Sequence, residues 1–357
     1  MEGTCILVLG MHRSGTSAVT RALAALGVDL GDRLMPGLED NPKGFFEDLD
    51  LTRINHALLE AMGKRWDSLL LPPWTAVPQS IRDGLVEEAR RVIRDRFSQS
   101  PCWAFKDPRT VRLLPFWEQV LEGLGIPRRF LIAYRHPLSV AASLARRDGF
   151  DEGKALLLWL QHMLPASRVP RALVVDYDRL LEDPSSQFAR MARFYGLRRD
   201  AEEERAFAED FLDPSLRHRR DPGRTWRGPS GPLGRVCQGL HRLFHSHARD
   251  KPRSYARWEM ARGDALSYLH GVEPLMASVD GLSLEAQKVP FLKRHIHQLE
   301  ARNLELEGQV QGLERHRSEL EAQLDRLFEE ITALQRELIR LRHQHQDPFL
   351  IQKRGRH

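Results

Sequence analysis

The sequence predicts an α/β fold, a parallel sheet flanked by helices, followed by a long C-terminal coiled-coil helix. Short apolar runs of strand length at residues 5–9, 102–105, 130–134 and 173–175 alternate with segments of helical periodicity. The first of these runs passes directly into a glycine-bounded loop and then a helix. From residue 289 onward the pattern changes to a sustained seven-residue repeat of leucine and β-branched residues.

The first strand, Cys5-Ile6-Leu7-Val8-Leu9, leads into Gly10-Met11-His12-Arg13-Ser14-Gly15-Thr16-Ser17 and then a helix closed by Gly27. Strand, glycine loop, helix is the geometry that aims free backbone N–H groups and a positive helix end at a phosphate. The spacing matches the G-x-x-x-x-G of a P-loop, so the expected sheet is of the P-loop NTPase type. The following residues are Thr16-Ser17, however, and an ATPase needs lysine there to reach the β- and γ-phosphates. Arg13 is the loop's one cation. The loop suits an anion other than hydrolysable ATP.

A second anion site follows the strand at residues 130–134, in Arg135-His136-Pro137-Leu138-Ser139-Val140-Ala141-Ala142-Ser143. Pro137 suits the first turn of a helix, which puts Ser143 on that helix and Arg135 at its mouth. A guanidinium with a hydroxyl is a receptor for a terminal phosphate dianion. A third segment, Leu173 through Asp176, is an apolar strand followed by Tyr177-Asp178 and a helix ending near Asp183-Pro184.

Together these three segments resemble the sulfotransferases that use 3′-phosphoadenosine 5′-phosphosulfate (PAPS), over residues 3–197. The resemblance implies that Arg13, Ser14, Gly15, Thr16 and Ser17 hold the 5′-phosphosulfate, Arg135 and Ser143 the 3′-phosphate, and Tyr177 the adenine. It also gives a role to Phe105-Lys106-Asp107-Pro108-Arg109: Lys106, with Arg13, stabilises the leaving group. Phenol and steroid sulfotransferases usually read Lys-Thr-His here and use the histidine as base. Lys-Asp-Pro instead resembles the tyrosylprotein and carbohydrate branches, where a glutamate is the base. The best candidate is Glu47, in Asn41-Pro42-Lys43-Gly44-Phe45-Phe46-Glu47-Asp48, with Asp48 and Asp50 as rivals. A carboxylate beside two phenylalanines is expected to have a raised pKa. The competing role for Glu47 is as N-cap of the helix that begins near Leu49. Trp66, Trp74 and Trp117 are candidates for a sugar platform or for core. The implied acceptor is a hydroxyl or amine of a carbohydrate, glycolipid or similar molecule. The alternative is a P-loop kinase or a non-catalytic scaffold acting through its coiled coil, against which the missing lysine and the 3′-phosphate motif count.

Composition sets the remaining limits. A hydrophobic content of 41% allows one sizeable core with an appendage. No apolar run approaches the roughly 20 residues of a membrane span. The first strand begins almost at Met1, which leaves no room for a signal peptide. Cys5, Cys102 and Cys237 have no metal spacing and cannot all pair, which favours free thiols, a cytoplasmic location and no metal. Residues 215–258 hold eleven Arg/Lys against two Asp, while the whole chain nets +5. With the Pro/Gly cluster between Asp221 and Pro232, this segment reads as a flap over the donor, a surface for an anionic acceptor or membrane, or a linker. No nucleic-acid motif accompanies the charge. The expected divisions are a catalytic core over 1–213, the basic segment over 214–285, a coiled coil over 286–345 and a basic tail over 346–357.

In the heptads from Val289, the a positions are Val289, Ile296, Asn303, Val310, Arg317, Leu324, Ile331 and Leu338. The d positions, from Leu292 to Leu341, are all leucine. Such layers favour two parallel strands, and a lone Asn at a fixes register. In a parallel pair, g-to-e′ contacts join Arg302 to Glu307 and Glu337 to Arg342. The helix would reach ~80 Å at 1.5 Å per residue, so a homodimer or a coiled-coil partner is expected.

Overall fold

The computed structural model describes residues 3–38, 41–212, 226, 228–251 and 253–345. Four strands, β1 (Thr4–Gly10), β2 (Cys102–Lys106), β3 (Arg128–Tyr134) and β4 (Ala172–Asp176), form one parallel sheet in the order β2-β1-β3-β4. Both strands beside β1 arise from runs read as strands in the sequence. The register sets Val8 beside Lys106 on one side and Leu131 on the other. The chain leaves β1 towards β2 and leaves β3 towards β4, in opposite directions. The loops after β1 and β3 therefore diverge, opening a crevice at the carboxyl ends of the strands.

Alternation along β1 feeds two cores. Cys5, Leu7 and Leu9 face a layer built from α2 (Leu49–Ala61), α3 (Gln79–Phe97), α4 (Leu114–Gly123), α5 (Pro137–Asp148) and α6 (Glu152–Ala166), together with Trp103 and Phe105 of β2. Ile6 and Val8 face α1 (Thr16–Ala25), α7 (Tyr177–Glu182), α8 (Pro184–Tyr195) and Phe207, which follows the short α9 (Ala201–Ala206). A strand buried on both faces reads as a continuous apolar run, which is why β1 shows no polar alternation.

Helix boundaries follow local capping chemistry. Pro137 occupies the first turn of α5, the His136 ring accepts from the Leu138 N–H, and Gly149 closes the helix in the left-handed region. After β4 the sequence suggests a helix ending near Asp183-Pro184, and the structure ends it there. α7 stops at Glu182, because Asp183 accepts from the Ser186 N–H and caps α8, with Pro184 at its first position.

The basic segment divides. Residues 213–225, including Asp221-Pro222-Gly223, lie outside the described residues, as does the tail from 346. From Pro232 the chain forms α10 (Pro232–His247) and then α11 (Tyr255–Gly271), and Cys237, Leu240 and Phe244 of α10 are buried in the first core. Arg235 and Arg242 face outward. Described thus, α10 is a packed helix of the globular unit.

That unit extends through Gly281, and a second begins at Leu282. The final helix, α12 (Glu273–His345), starts in the first unit, where Asp280 accepts from the backbone N–H groups of Leu69 and Leu70. In the second unit, all fourteen apolar a and d residues named from the heptads are exposed.

Candidate active site

Loop β1–α1 has two residues in the left-handed region, Arg13 at φ 66° and Gly15 at φ 79°. Gly15 is required twice over. Its φ disfavours a side chain, and a Cβ there would overlap the Tyr177 ring. Gly10 is equally constrained, since an added Cβ would stand 2.6 Å from the Ala133 carbonyl oxygen of β3. These close approaches bring the ends of β1, β3 and β4 together around one cleft of about 450 Å³.

The two sequence motifs meet in that cleft. Arg13 Nε donates to Ser143 Oγ at 2.9 Å, and Arg135 Nη1 donates to the Arg13 carbonyl at 3.3 Å. Arg135 also lies over the Tyr177 ring, 4.8 Å from its centroid. Arg135 is buried, and its Nε has no hydrogen-bond partner among the described residues. A buried guanidinium with an unused donor, next to a hydroxyl and an aromatic face, fits a phosphate beside a base. Thr16 and Ser17 line the same cleft. Ser14 does not: its side chain is fully buried behind the loop and its backbone N–H bonds the Met11 carbonyl.

The candidate catalytic pair is in contact. Lys106 Nζ donates to Glu47 Oε1 at 2.7 Å and to Ser17 Oγ at 3.3 Å. Only 1% of Lys106 is exposed. Burial raises the Glu47 pKa above the usual carboxylate value, against the opposing pull of the Lys106 charge, and Asp107 nearby pushes it up as well. The sequence rivals have other work. Asp48, not Glu47, is the N-cap of α2, accepting from Asp50 and Leu51 N–H groups and pairing with Arg96. Asp50 is held by Arg33 and Arg96.

Sequence reasoning gave no role to the groups that hold Glu47. Arg109 bridges Glu47 Oε2 at 3.5 Å and Asp107 Oδ1 at 2.8 Å. Asp107 accepts from Asn55 Nδ2 at 2.8 Å, and Asn55 Oδ1 accepts from the buried Trp117 indole at 2.7 Å. Trp117 is therefore core with a polar anchor. Asn41 donates to Ser17 Oγ and to the Gly44 carbonyl, folding the Glu47 segment against the loop. Trp66 is no open platform, because His12 packs on its ring at 4.4 Å and Arg147 lies over it at 5.1 Å. His12 is held well below its ordinary pKa by burial first, then by His162 and the charges of Arg147, Arg109 and Lys106. The signal for Arg109 was its place in the Lys106-Asp107-Pro108-Arg109 turn; His12 stands beside Arg13 in the loop.

The described cleft wall carries six basic side chains, Arg13, Lys43, Lys106, Arg135, Arg146 and Arg147, and one carboxylate, Glu47. Such a wall is suited to a polyanion with a single basic oxygen pair beside it. No group of three or more metal-ligating side chains occurs among the described residues, and no described helix is long and apolar enough to cross a membrane.

Neither a family model nor a curated protein matches the sequence. Among solved structures, the chain is similar to the sulfotransferase domain from the Synechococcus PCC 7002 olefin synthase, at 17% identity and a TM-score of 0.41, covering 69% of this chain and 96% of that one. It is also similar to sulfotransferase STF9 from Mycobacterium avium, at 16% identity and a TM-score of 0.37, covering 76% and 77%. Sulfotransferase STF1 from Mycobacterium tuberculosis H37Rv matches at 16% identity and a TM-score of 0.36, covering 68% and 77%.

Proposed function

We propose that this protein is a PAPS-dependent sulfotransferase acting on a hydroxyl or amine of a carbohydrate, glycolipid or similar acceptor. The observation that carries the reading is the Arg13–Ser143 hydrogen bond, which joins the two phosphate motifs in one cleft with the Lys106–Glu47 pair. The donor would supply an activated sulfonate whose S–O bond to the bridging phosphate oxygen breaks as a bond to the acceptor forms. Arg135 and Ser143 hold the 3′-phosphate, and the Thr16 and Ser17 end of α1 holds the phosphosulfate. Tyr177 offers its ring to the adenine. Glu47 takes the acceptor proton. Lys106 and Arg13 offset the charge that gathers on the departing oxygen. The Arg109–Asp107–Asn55 chain keeps the Glu47 carboxylate aimed.

The acceptor class rests on Lys106-Asp107-Pro108 and on glutamate in place of histidine as base. The cytoplasm, where the donor is made, is the proposed compartment. The exposed heptad face of α12 is proposed to pair with a second copy in parallel. The test is transfer of label from PAPS to glycan and lipid extracts by purified protein, with Glu47→Gln as the control. Incorporation that depends on Glu47 supports the reading; none from any acceptor, together with no affinity for the desulfated nucleotide, overturns it.

A further inference from the structure

A second cavity, of about 900 Å³, lies at the amino ends of β3 and β4. Arg128 and Arg129 open β3 on its rim, whereas Arg135 and Tyr177 of the first cleft follow the carboxyl ends of the same strands. A seven-residue strand spans roughly 20 Å, so the two sites are separate.

The floor of this cavity is apolar. Phe130, Ile132, Val174 and Phe244 are buried beneath it, and Trp258 forms part of the wall. The rim is cationic, with Arg128, Arg129, Arg171 and Arg262, and no carboxylate lines it among the described residues. Glu118 pairs with Arg128 and Glu259 with Arg262 from outside the lining. Arg129 is bonded to the carbonyl oxygens of Phe194 and Tyr195 and pairs with no carboxylate among the described residues. It lies 5.1 Å from the Phe194 ring centroid, and Arg262 lies 5.5 Å from that of Trp258. Arg171 is exposed and takes the left-handed conformation at φ 48°, beside Ala172 where the edge strand begins. The volume is that of a small-molecule site. An apolar hollow would take a hydrocarbon tail, and two guanidiniums at its mouth, neither paired with a carboxylate among the described residues, would take an anion.

We propose that this cavity binds a single-chain amphiphile with a sulfate, phosphate or carboxylate head, the tail on the Phe130–Phe244 floor and the head between Arg129 and Arg171. The site is independent of the donor cleft.

Calorimetry on the full chain tests it with octyl sulfate below its micellar concentration, octyl glucoside as the neutral-head arm and inorganic sulfate as the head alone. Octyl sulfate should bind at least tenfold more tightly than either. The double substitution Arg128→Glu with Arg171→Glu, both at exposed positions, should weaken it at least tenfold and leave nucleotide affinity at the first cleft unchanged. Ala172→Phe, which fills the hollow, should weaken it without touching a charge. Equal binding of octyl glucoside, equal binding of inorganic sulfate, no binding of octyl sulfate, or indifference to both sets of substitutions would each overturn the proposal.

Discussion

Arg13 and Ser143 lie 130 positions apart and share a hydrogen bond of 2.9 Å. In the function proposed above, their contact joins into one anion site the loop after β1 and the helix after β3, which leave adjacent strands in opposite senses. The donor's two anionic ends would then be held by groups that also brace one another, and loss of either should be felt at both.

The first prediction concerns the nucleotide. 3′-Phosphoadenosine 5′-phosphate should bind much more tightly than AMP, because Arg135 and Ser143 are proposed to meet only the former's extra phosphate. A hydrogen bond to a charged group contributes about 1.5–3 kcal/mol. Arg135→Ala should therefore cost about ten- to a hundredfold in affinity and erase most of the preference. Equal calorimetric affinities in the wild type would remove the donor assignment.

The second concerns the base. Glu47→Gln should lower turnover by ~10²–10⁴ while leaving nucleotide affinity intact. Burial raises the Glu47 pKa, and an ionised carboxylate is the form that takes a proton. Activity should accordingly rise with pH on a limb above the usual glutamate value. Lys106 pulls in the opposite direction, so Lys106→Met should move that limb further up and lower the rate. A limb that stays in place in the Lys106 variant would separate the two residues functionally. In stability terms, a raised carboxylate pKa favours the folded state at low pH, and that contribution is lost as pH rises through the folded value.

How much of this was legible in the sequence follows from how local each feature is. The strands, the glycine loop and the Arg135-to-Ser143 helix were readable because each is a continuous run with its own turn chemistry. Glu47 was identifiable as a candidate, but its rivals were separable from it only once Asp48 was seen capping α2 and Arg96 reaching Asp50. The chain from Trp117 through Asn55 and Asp107 to Arg109 was not readable. Its members come from α4, α2 and the turn after β2, up to 62 positions apart, and no periodicity marks a polar contact. The burial of α10 was masked by its arginines, which share a helix with Cys237, Leu240 and Phe244 on the opposite face.

The third prediction is a pH dependence of folding. His162 is pushed down to about 3, by burial first and then by Arg112, and His241 to about 2, by burial first and then by His136. Both are neutral in the folded protein, whereas an unfolded histidine titrates near 6.5. Below that value the unfolded chain binds protons that the folded chain does not, so stability falls as pH drops from there towards the folded values. Each group can contribute a slope of about 1.4 kcal/mol per pH unit. Urea midpoints between neutral and mildly acidic pH should show the decline, and His162→Gln should make it shallower. An unchanged slope in that variant would assign the effect to other groups.

The last prediction concerns assembly. The heptad residues from Val289 to Leu341 form an apolar stripe that is wholly exposed on a single helix, with Leu299 53%, Leu313 70% and Leu334 65% accessible. A stripe of that length in water favours pairing, and leucine at every d with β-branched residues or leucine at most a positions favours a parallel pair. Asn303 would face its symmetry mate in an otherwise dry seam, which lowers stability but penalises shifted and antiparallel registers. Arg317 can turn its charged end out to solvent along its apolar stem, so the middle of the seam weakens without opening. Asn303→Leu should then raise the melting temperature of the helix while admitting other oligomers. Removal of everything after Leu284 should leave nucleotide affinity unchanged, since every proposed donor residue precedes Pro184, and should give a monomer by light scattering where the full chain should give a dimer. A full-length chain that stays monomeric at micromolar concentration would reject self-pairing and turn the same stripe towards a partner helix.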